Sequence, residues 1–432
     1  MKQAELKGVA EQYAAYATDQ ARGSSEAYEK LALAVAQCDD LPEFIATLPV
    51  ERRQPNLFFA AVRHVCGIPR NVDDLRQFVR VRQARIREVM LSRTTQTNEP
   101  ARCAVLLPLL AQLPQPLALL EVGASAGLCL LLDHYGYDYG KARIDPTVSG
   151  DGQAPVFTCQ ISGTVALPKT IPRIAWRAGL DLNPIDVRSE SDTAWLETLV
   201  WPGQDERLSR LHAAINIARR DPPNVVRGDL LTDLVQLVAT APRDATLVVF
   251  HTAVLGYVLP QSAREQFAAT VKETGAEWIS NEPASVFPSI ARMAPPSPAR
   301  GRFLMAWSLG LGHMDSHSTG SARRDTPYCA QFGLGSSITP AMQKKVHRGR
   351  HGLFAARRWS LHHCHRMLTA LMVASSSLTV SVAVFKPASG GGKRGAGRRK
   401  RSRCGLNDNR VAAAPHPTRP ESISSELRDP QN

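Results

Sequence analysis

The stretch 119-LLEVGASAGLCLLLDHY-135 decides the fold, because a short apolar run leads through a loop of small residues into a second apolar run. Residues 117–122 are typical of a buried parallel strand, and residues 128–134 can form a helix. Small residues between them let a ligand approach the backbone, and free amides at a helix start can meet its polar atoms. The sequence predicts either a ligand-binding loop or a plain tight turn, built around Gly123, Ser125 and Gly127.

Length and cysteine usage limit the class of protein. A chain of 432 residues with 44% hydrophobic residues is long enough for two or three domains with a sizeable core, which excludes a disordered protein. The eight cysteines form no C-x-x-C pair, so their spacing argues against a structural zinc site and a disulfide framework and favours a reducing cytoplasm. The first 17 residues lack a long apolar core, and we therefore expect no secretory signal.

The basic character of the chain is confined to its C-terminal part. The formal net charge is +13, which by itself suggests an acidic partner such as nucleic acid. Residues 1–306, however, hold 32 Lys and Arg against 33 Asp and Glu, whereas residues 307–432 hold 20 against 6. The overall charge therefore says nothing about the ligand of the main body.

The chain divides into three predicted parts. Residues 1–115 carry apolar positions at helical spacing and predict a helical cap. Residues 116–306 alternate short β-like runs with helical stretches, which predicts a doubly wound, mostly parallel sheet of the Rossmann-like α/β class. An insertion interrupted by Gly and Pro follows the first helix of this part, and we expect a hairpin of 137-YDYGKARIDP-146 with 155-PVFTCQISG-163. Residues 307–432 form an atypical basic tail.

The loop after the first strand resembles a cofactor-binding motif. It does not fit the dinucleotide fingerprint G-x-G-x-x-G, because no second glycine stands two residues after Gly123. It resembles instead the first motif of S-adenosylmethionine-dependent methyltransferases, an acid followed by G-x-G-x-G, with Ser125 in place of the middle glycine. The resemblance implies that Glu121 lies near the positive end of the cofactor and that Gly123, Ser125 and Gly127 approach its methionine part.

Two further motifs follow in the same order as in those enzymes. In 179-GLDLNPID-186, Asp181 ends the second strand and resembles the acid that binds both ribose hydroxyls; its alternative is a helix cap. In 226-VRGDLL-231, Asp229 and the amide of Leu230 resemble the element at the adenine pocket, with a turn as the alternative. Ligands of open α/β sheets bind at the carboxyl ends of the strands, so the shared order favours one cofactor site.

A more specific resemblance covers about residues 10–306. The segments 92-SRTTQTNEPARC-103, LLEVGASAGL, WRAGLDLNPIDV, VVRGDLL and VVFHTAVLGYV are together similar to the bacterial family known as domain of unknown function 2332. That family is similar to methyltransferases in fold and carries no assigned substrate. In this chain Pro100 and Ala101 stand where the family has a Val-Gly pair, so the local turn there is expected to differ.

The candidate catalytic residues lie at two predicted strand ends. Methyl transfer needs positioning and removal of the proton from the nucleophile. His251 ends the fourth strand and has a pKa range suited to a base, while Asn281 and Glu282 end the next strand; a structural role is the alternative for each. From the cap, a polar segment can either close the pocket or form a hydrogen-bonded loop and helix start; its residues are Thr97, Asn98, Glu99 and Arg102.

The tail contains three other features. The basic cluster 393-KRGAGRRKRSR-403 can bind phosphate backbones, although no aromatic residues accompany it. The run 362-HHCH-365 carries metal-ligand side chains that are too crowded for a usual zinc site, and residues 367–385 are long enough to span a membrane but contain many hydroxyls. Loss of the reading frame near residue 306 is a simpler hypothesis, because the composition changes abruptly there.

The sequence favours a cytoplasmic enzyme that uses S-adenosylmethionine to methylate an unknown acceptor, without a metal site or a membrane span. A non-catalytic or inactive cofactor-binding protein with the same fold is the first alternative. Nucleic-acid binding through the tail is the second, and it predicts a steep dependence of affinity on salt.

Overall fold

The N-terminal part of the chain forms a bundle of five helices. In the computed structural model, which describes residues 2–96, 98–148, 154–163, 165–292, 302–308, 328–335 and 377–382, these helices agree closely with the sequence pattern. Their bounds are α1 Lys2–Tyr16, continued by the π-helical turn Ala17–Ala21, α2 Glu26–Gln37, α3 Asp40–Ala46, α4 Pro55–Cys66 and α5 Val72–Ser92.

Aromatic side chains fill the core of this bundle. Tyr13, Tyr28, Phe58 and Phe59 are almost fully buried, and the rings of Tyr28 and Phe59 stack at a centroid distance of 4.9 Å. Side-chain caps fix the helix starts: Ser25 accepts from the amide of Tyr28, and Asn71 accepts from the amide of Asp74. Side-chain caps and a shared aromatic core thus hold α1–α5 together, and the predicted division of the chain at residue 115 stays a prediction.

A mixed sheet forms the second layer. Its strands are β1 Leu117–Val122, β2 Gly136–Asp138, β3 Arg143–Ile144, β4 Val156–Gly163, β5 Ile174–Asp181, β6 Val225–Arg227, β7 Thr246–Thr252, β8 Glu277–Pro283, β9 Arg302–Ser308, β10 Tyr328–Gly335 and β11 Ser377–Val382. Their order is β3-β2-β4-β11-β10-β9-β8-β7-β1-β5-β6. The five strands β8, β7, β1, β5 and β6 are parallel, and β9 lies antiparallel beside β8. The predicted α/β class with a mostly parallel central sheet is confirmed.

Helices cover both faces of the parallel strands. On one face pack α6 Cys103–Leu110, the 3-10 helix Leu128–His134 and α8 Asp205–Arg220, and on the other pack α9 Leu234–Val238 and α10 Gln261–Glu273. The remaining helices are α7 Glu190–Thr198, α11 Pro288–Ala291 and the 3-10 turns Val50–Arg52, Pro100–Arg102 and Leu255–Tyr257. The side chains of α6 share the core of the sheet rather than that of α1–α5.

The predicted hairpin in the insertion is wrong in its pairing. Strands β2 and β3 form a small antiparallel pair within the first of the two stretches, and β4 pairs with β2 in parallel. The physical reason is a tight turn at Gly140, which has φ +75° and donates its amide to Asp138 Oδ1 at 2.8 Å. The first stretch therefore turns back on itself before the second stretch begins.

Two strands come from the predicted basic tail. β10 pairs antiparallel with β9, and β11 pairs antiparallel with β10 and parallel with β4. The runs 362–365 and 393–403 lie outside the described residues, as does all of the apolar run 367–385 except β11. In the part of the chain that the structure describes, no helix combines the length and the apolar character needed to cross a membrane. The hypothesis of a lost reading frame stays a prediction.

Candidate functional site

A cavity of about 270 Å³ lies at the carboxyl ends of β1, β5 and β7, under the helical cap. The sheet contributes residues from the loops that follow these three strands, and the cap contributes residues from around α4 and from the segment after α5. The lining residues are Glu51, Arg52, Gln54, Leu57, Thr94, Thr95, Gln96, Arg102, Gly123, Ser125, Asp181, Leu182, Asn183, Thr252, Ala253, Val254 and Tyr257.

The cavity coincides with the point at which the strand order reverses. After β1 and the excursion through β2–β4, the chain places β5 and β6 on one side of β1, and it then places β7 and β8 on the other side. The loops after β1 and β7 consequently diverge and leave a crevice between them. Open α/β sheets bind their ligands in this crevice, so topology and cavity indicate the same site.

Three residues of the loop after β1 have left-handed backbone conformations. Gly123 has φ +71°, Ser125 has φ +52° and Gly127 has φ +67°. A Cβ atom on Gly123 would lie 2.4 Å from Cγ2 of Val254, and one on Gly127 would lie 2.7 Å from Cγ of Pro223. Packing against other protein segments therefore requires both glycines, whereas the sequence argument assigned them to the approach of a ligand.

The backbone amides of residues 123–127 are all engaged within the protein. The acceptors are Leu180 O for Gly123 and Ala124, Asp181 Oδ2 for Ser125, Asn98 Oδ1 for Ala126 and Ala124 O for Gly127. These five amides are therefore not free for a ligand, and the expectation that amides of the helix start at Leu128 meet one stays a prediction. The next residues form a 3-10 helix, not an α-helix, over Leu128–His134.

Asp181 links the loops after β1 and β5. Its Oδ2 accepts the amide of Ser125 at 2.8 Å, and its Oδ1 accepts the amide of Asn183 at 2.7 Å. It does not cap a helix, because α7 begins nine residues later, at Glu190, with Ser189 as its own cap. Each carboxylate oxygen can accept a second hydrogen bond, so a half-buried Asp181 on the cavity wall still has acceptor capacity.

The polar segment before α6 fastens the cap to the sheet. Asn98 donates to Ser125 Oγ at 2.8 Å, and Arg102 Nη1 donates to Thr252 O at 3.0 Å and to Thr252 Oγ1 at 2.9 Å. Of these residues only Arg102, Ser125 and Thr252 line the cavity. Thr97 lies outside the described residues. Asn98 and Glu99 make the hydrogen bonds of the loop and helix start that the sequence offered as the alternative, and closure of the pocket by this segment stays a prediction.

Buried charges lie behind this contact. Glu99 approaches Arg207 at 3.0 Å and Arg210 at 3.7 Å, and its Oε1 also accepts the amide of Ala101. Glu121 is 4% exposed and does not line the cavity, and its Oε2 has no hydrogen-bond partner among the described residues. Burial, followed by the neighbouring Cys129, raises the pKa of the Glu121 carboxyl well above its usual value. This geometry does not support the predicted contact of Glu121 with a cofactor.

His251 and Glu282 form a buried pair on the far side of the loop after β7. The His251 side chain has no exposed surface, and its Nδ1 lies 2.7 Å from Glu282 Oε1. Trp278 Nε1 donates to His251 Nε2 at 3.1 Å, so Nε2 is unprotonated and the neutral ring donates from Nδ1. Glu282 Oε1 also accepts the amides of Val254 and Leu255. The pair fixes this loop, and neither side chain lines the cavity.

The other predicted residues are also away from the cavity. Asn281 is buried, and its side-chain Oδ1 has no hydrogen-bond partner among the described residues. Asp229 Oδ1 accepts the amide of Leu231 at 2.7 Å, and the Asp229 amide donates to Asp233, which makes the turn before α9. Neither Asp229 nor Leu230 lines the cavity. The roles of these residues in adenine binding and catalysis stay predictions without support from this geometry.

Much of the cavity wall consists of residues to which the sequence motifs assigned no role. The cap residues 51–57 and 94–96 stand far from the loop after β1 along the chain, and Thr252–Val254 follow His251 directly. The sequence could have indicated Leu182 and Asn183 as residues of the cavity wall, because they follow Asp181 at the end of a predicted strand. It could also have indicated Thr252, because alternation along β7 puts Val248, Phe250 and Thr252 on one face and His251 on the other.

Comparison with known proteins agrees with the sequence resemblance. A family model described as an uncharacterized protein conserved in bacteria (DUF2332) matches residues 10–323. The chain belongs to this family. The match ends 17 residues beyond the boundary at residue 306 that the sequence motifs suggested. No curated protein and no solved structure matches the chain.

Proposed function

We propose that this DUF2332 protein binds S-adenosylmethionine in the cavity and transfers its methyl group to an acceptor. One observation carries the proposal: Ser125 in the loop after β1, Asp181 at the end of β5 and Thr252 at the end of β7 line one cavity at the point where the strand order reverses. That crevice is the binding position of nucleoside-containing ligands in open α/β sheets.

The side chains of the cavity fit the nucleoside part of this cofactor. The carboxylate of Asp181 retains acceptor capacity for ribose hydroxyls, and the adjacent Leu182, which is 61% exposed, offers an apolar surface to a base. Because the amides of residues 123–127 are engaged, this loop has no free donor for a pyrophosphate at those positions. A cofactor without phosphate groups is therefore favoured over a dinucleotide.

The protein's contribution to the reaction would be positioning and exclusion of water. S-adenosylmethionine supplies an activated methyl group on a positively charged sulfur. The wall formed by Gln54, Thr95 and Gln96 covers the site from the cap, and Thr95 Oγ1 donates to Gln54 Oε1 at 3.3 Å while Gln96 donates to Asn183 O at 2.8 Å. The first contact fixes two cap residues to each other and the second joins the cap to the loop after β5, so the wall can orient reacting groups.

Calorimetry with the full chain tests the proposal. We expect S-adenosylmethionine and S-adenosylhomocysteine to bind and NAD not to bind. Leu182→Ala should weaken binding by roughly 1–2 kcal/mol because it removes apolar contact area. Leu259→Ala is a matched control, because Leu259 is 63% exposed and does not line the cavity. No heat with either sulfur ligand would reject the proposal, and equal effects of the two variants would reject this position of the base.

Binding without turnover is a second candidate function. The observation that favours it is that His251, Asn281 and Glu282 are buried away from the cavity and offer it no acid or base. Incubation with methyl-labelled S-adenosylmethionine and cell extract separates the two functions. Transfer of label to an acceptor supports methyl transfer, whereas heat of binding without transfer supports a binding protein.

A further inference from the structure

Arg102 is a cation on the cavity wall without an ion-pair partner among the described residues. The nearby Glu99 is paired with Arg207 and Arg210 instead. Arg102 is half-buried. Its positive charge lowers the pKa of the Glu121 carboxyl and of the Tyr257 hydroxyl, against the larger effect of burial, which raises both. A half-buried guanidinium that lines a cavity and, in the described part of the chain, makes no ion pair with the lining carboxylates Glu51 and Asp181 is a binding group for an anion.

Thr252 holds this guanidinium in place. Nη1 of Arg102 donates to both the carbonyl and the hydroxyl oxygen of Thr252, at 3.0 and 2.9 Å. A guanidinium has five N–H donors in a planar fork, and these contacts engage only one of its nitrogens. The remaining nitrogens are those that can make paired hydrogen bonds to a carboxylate.

The surroundings leave the charge of Arg102 largely uncompensated. Behind it, Arg207 and Arg210 share the single carboxylate of Glu99. The carboxyl group of Glu121 holds its proton to higher pH than usual because it is buried. Arg102 lies on the wall next to β7, whereas the lining carboxylates Glu51 and Asp181 lie in the cap and at the end of β5.

The loop after β1 cannot take over anion binding. Its amides at residues 123–127 already have acceptors within the protein. Among the described residues, Arg52 and Arg102 are the two cations that line the cavity, so these side chains can offer a positive charge to an anionic group there. Arg52 lies in the cap and donates to the carbonyl of Arg93, while Arg102 contacts the end of β7.

We propose that Arg102, held by Thr252, binds the carboxylate of the amino-acid part of the cofactor. This inference rests on the proposed function and extends it to the orientation of the ligand. The nucleoside part contacts Asp181 and Leu182, and the amino-acid part extends toward the end of β7. Arg102 is thus a specificity residue for ligands that carry a carboxylate.

Two ligands that differ in this group provide the test. S-adenosylhomocysteine carries the carboxylate, and 5′-methylthioadenosine has the same nucleoside and sulfur without it. Calorimetry on the full chain should give tighter binding of S-adenosylhomocysteine to the wild type. Arg102→Gln should weaken its binding by roughly 10- to 100-fold, the scale of a hydrogen bond to a charged group, and leave 5′-methylthioadenosine within about threefold.

Arg52→Gln is the matched control, because it removes the same charge from another residue of the cavity wall and should leave the ratio of the two affinities unchanged. If Arg102→Gln does not fold, Arg102→Lys keeps the charge, and it should reduce the ratio because one ammonium replaces the planar fork. An unchanged ratio in the folded Arg102 variant, or a loss caused by Arg52→Gln instead, would overturn this inference alone. If the wild type binds neither ligand, the proposed function fails and the carboxylate subsite fails with it.

Discussion

The side-chain amide of Asn98 donates a 2.8 Å hydrogen bond to the hydroxyl of Ser125, a residue held at φ +52°. The same Asn98 accepts the amide of Ala126 through Oδ1 at 3.1 Å. One cap residue therefore satisfies two groups of the loop after β1 and holds it in a conformation that a non-glycine residue rarely adopts. The cap is part of the site because it shapes this loop.

Loss of Asn98 should destabilise the protein. Asn98→Ala leaves the amide of Ala126 without its acceptor in a buried position, which costs about 1–3 kcal/mol of the free energy of unfolding. Denaturant unfolding measures this change. Ser125→Gly should be less destabilising than Ser125→Ala, since both lose the hydroxyl but only glycine tolerates the positive φ. Equal stabilities of the two Ser125 variants would show that the backbone there is unstrained.

Gly123 should tolerate no side chain, because of its conformation and its contact with Val254. We expect Gly123→Ala to lower the free energy of unfolding by about 3 kcal/mol, from a left-handed backbone and overpacking together. Gly140→Ala is the control: Gly140 has φ +75° but nothing within 4 Å, so it should lose only about 1 kcal/mol.

A double variant isolates the steric part of this effect. Val254→Gly removes the atoms that a Cβ at position 123 would meet, including Val254 Cβ at 2.6 Å. Added to Gly123→Ala, it should therefore restore part of the lost stability in a double-mutant cycle. Additive losses in the cycle would show that the two residues do not collide.

The local pattern of the sequence predicted the central elements well. The strand Leu117–Val122 and the helical segment Leu128–His134 have the bounds read from the opening stretch, because an apolar run bounded by glycines leaves little choice of register. Asp181 lies on the cavity wall because the carboxyl ends of parallel strands meet at one edge.

Contacts between segments that are distant along the chain could not be predicted from the sequence patterns. Glu99 meets Arg207 across 108 positions, and nothing local to either residue indicates the other. The fully buried His251 was assigned to catalysis from its position near a strand end, although its neighbour Thr252 is the residue that faces the cavity. Successive side chains of a strand point to opposite faces. Thr252 can therefore face the cavity while His251, one residue earlier, faces the core.

Asp181 should matter to both stability and binding. Its two oxygens accept the amides of Ser125 and Asn183, whereas an asparagine has one oxygen and turns an NH₂ group toward one of those amides. Asp181→Asn should therefore lower the ligand-free free energy of unfolding by about 1–3 kcal/mol. Cofactor affinity should fall further if Asp181 also binds ribose, which calorimetry on the folded variant measures. Unchanged ligand-free stability would contradict the bridging role.

The buried carboxyl of Glu121 should make stability depend on pH in a predictable direction. Burial raises its pKa well above the usual value of 4.5, with a further increase from Cys129 and an opposing effect from Arg102. The folded protein therefore keeps a proton that the unfolded chain releases at lower pH. Between the two pKa values stability falls as pH rises, by up to roughly 1.4 kcal/mol per pH unit, and below the usual value this contribution is fully present.

Glu121→Gln tests this dependence because the amide has the same shape and cannot ionise. We expect the variant to gain stability relative to the wild type as pH rises from 4.5 toward neutrality, in unfolding titrations at several pH values. Glu265→Gln, at an exposed position on α10, should give a curve parallel to that of the wild type. If the Glu121→Gln curve is also parallel to the wild type, the carboxyl group titrates normally in the folded protein, and the positive charge of Arg102 is then compensated by Glu121 after all.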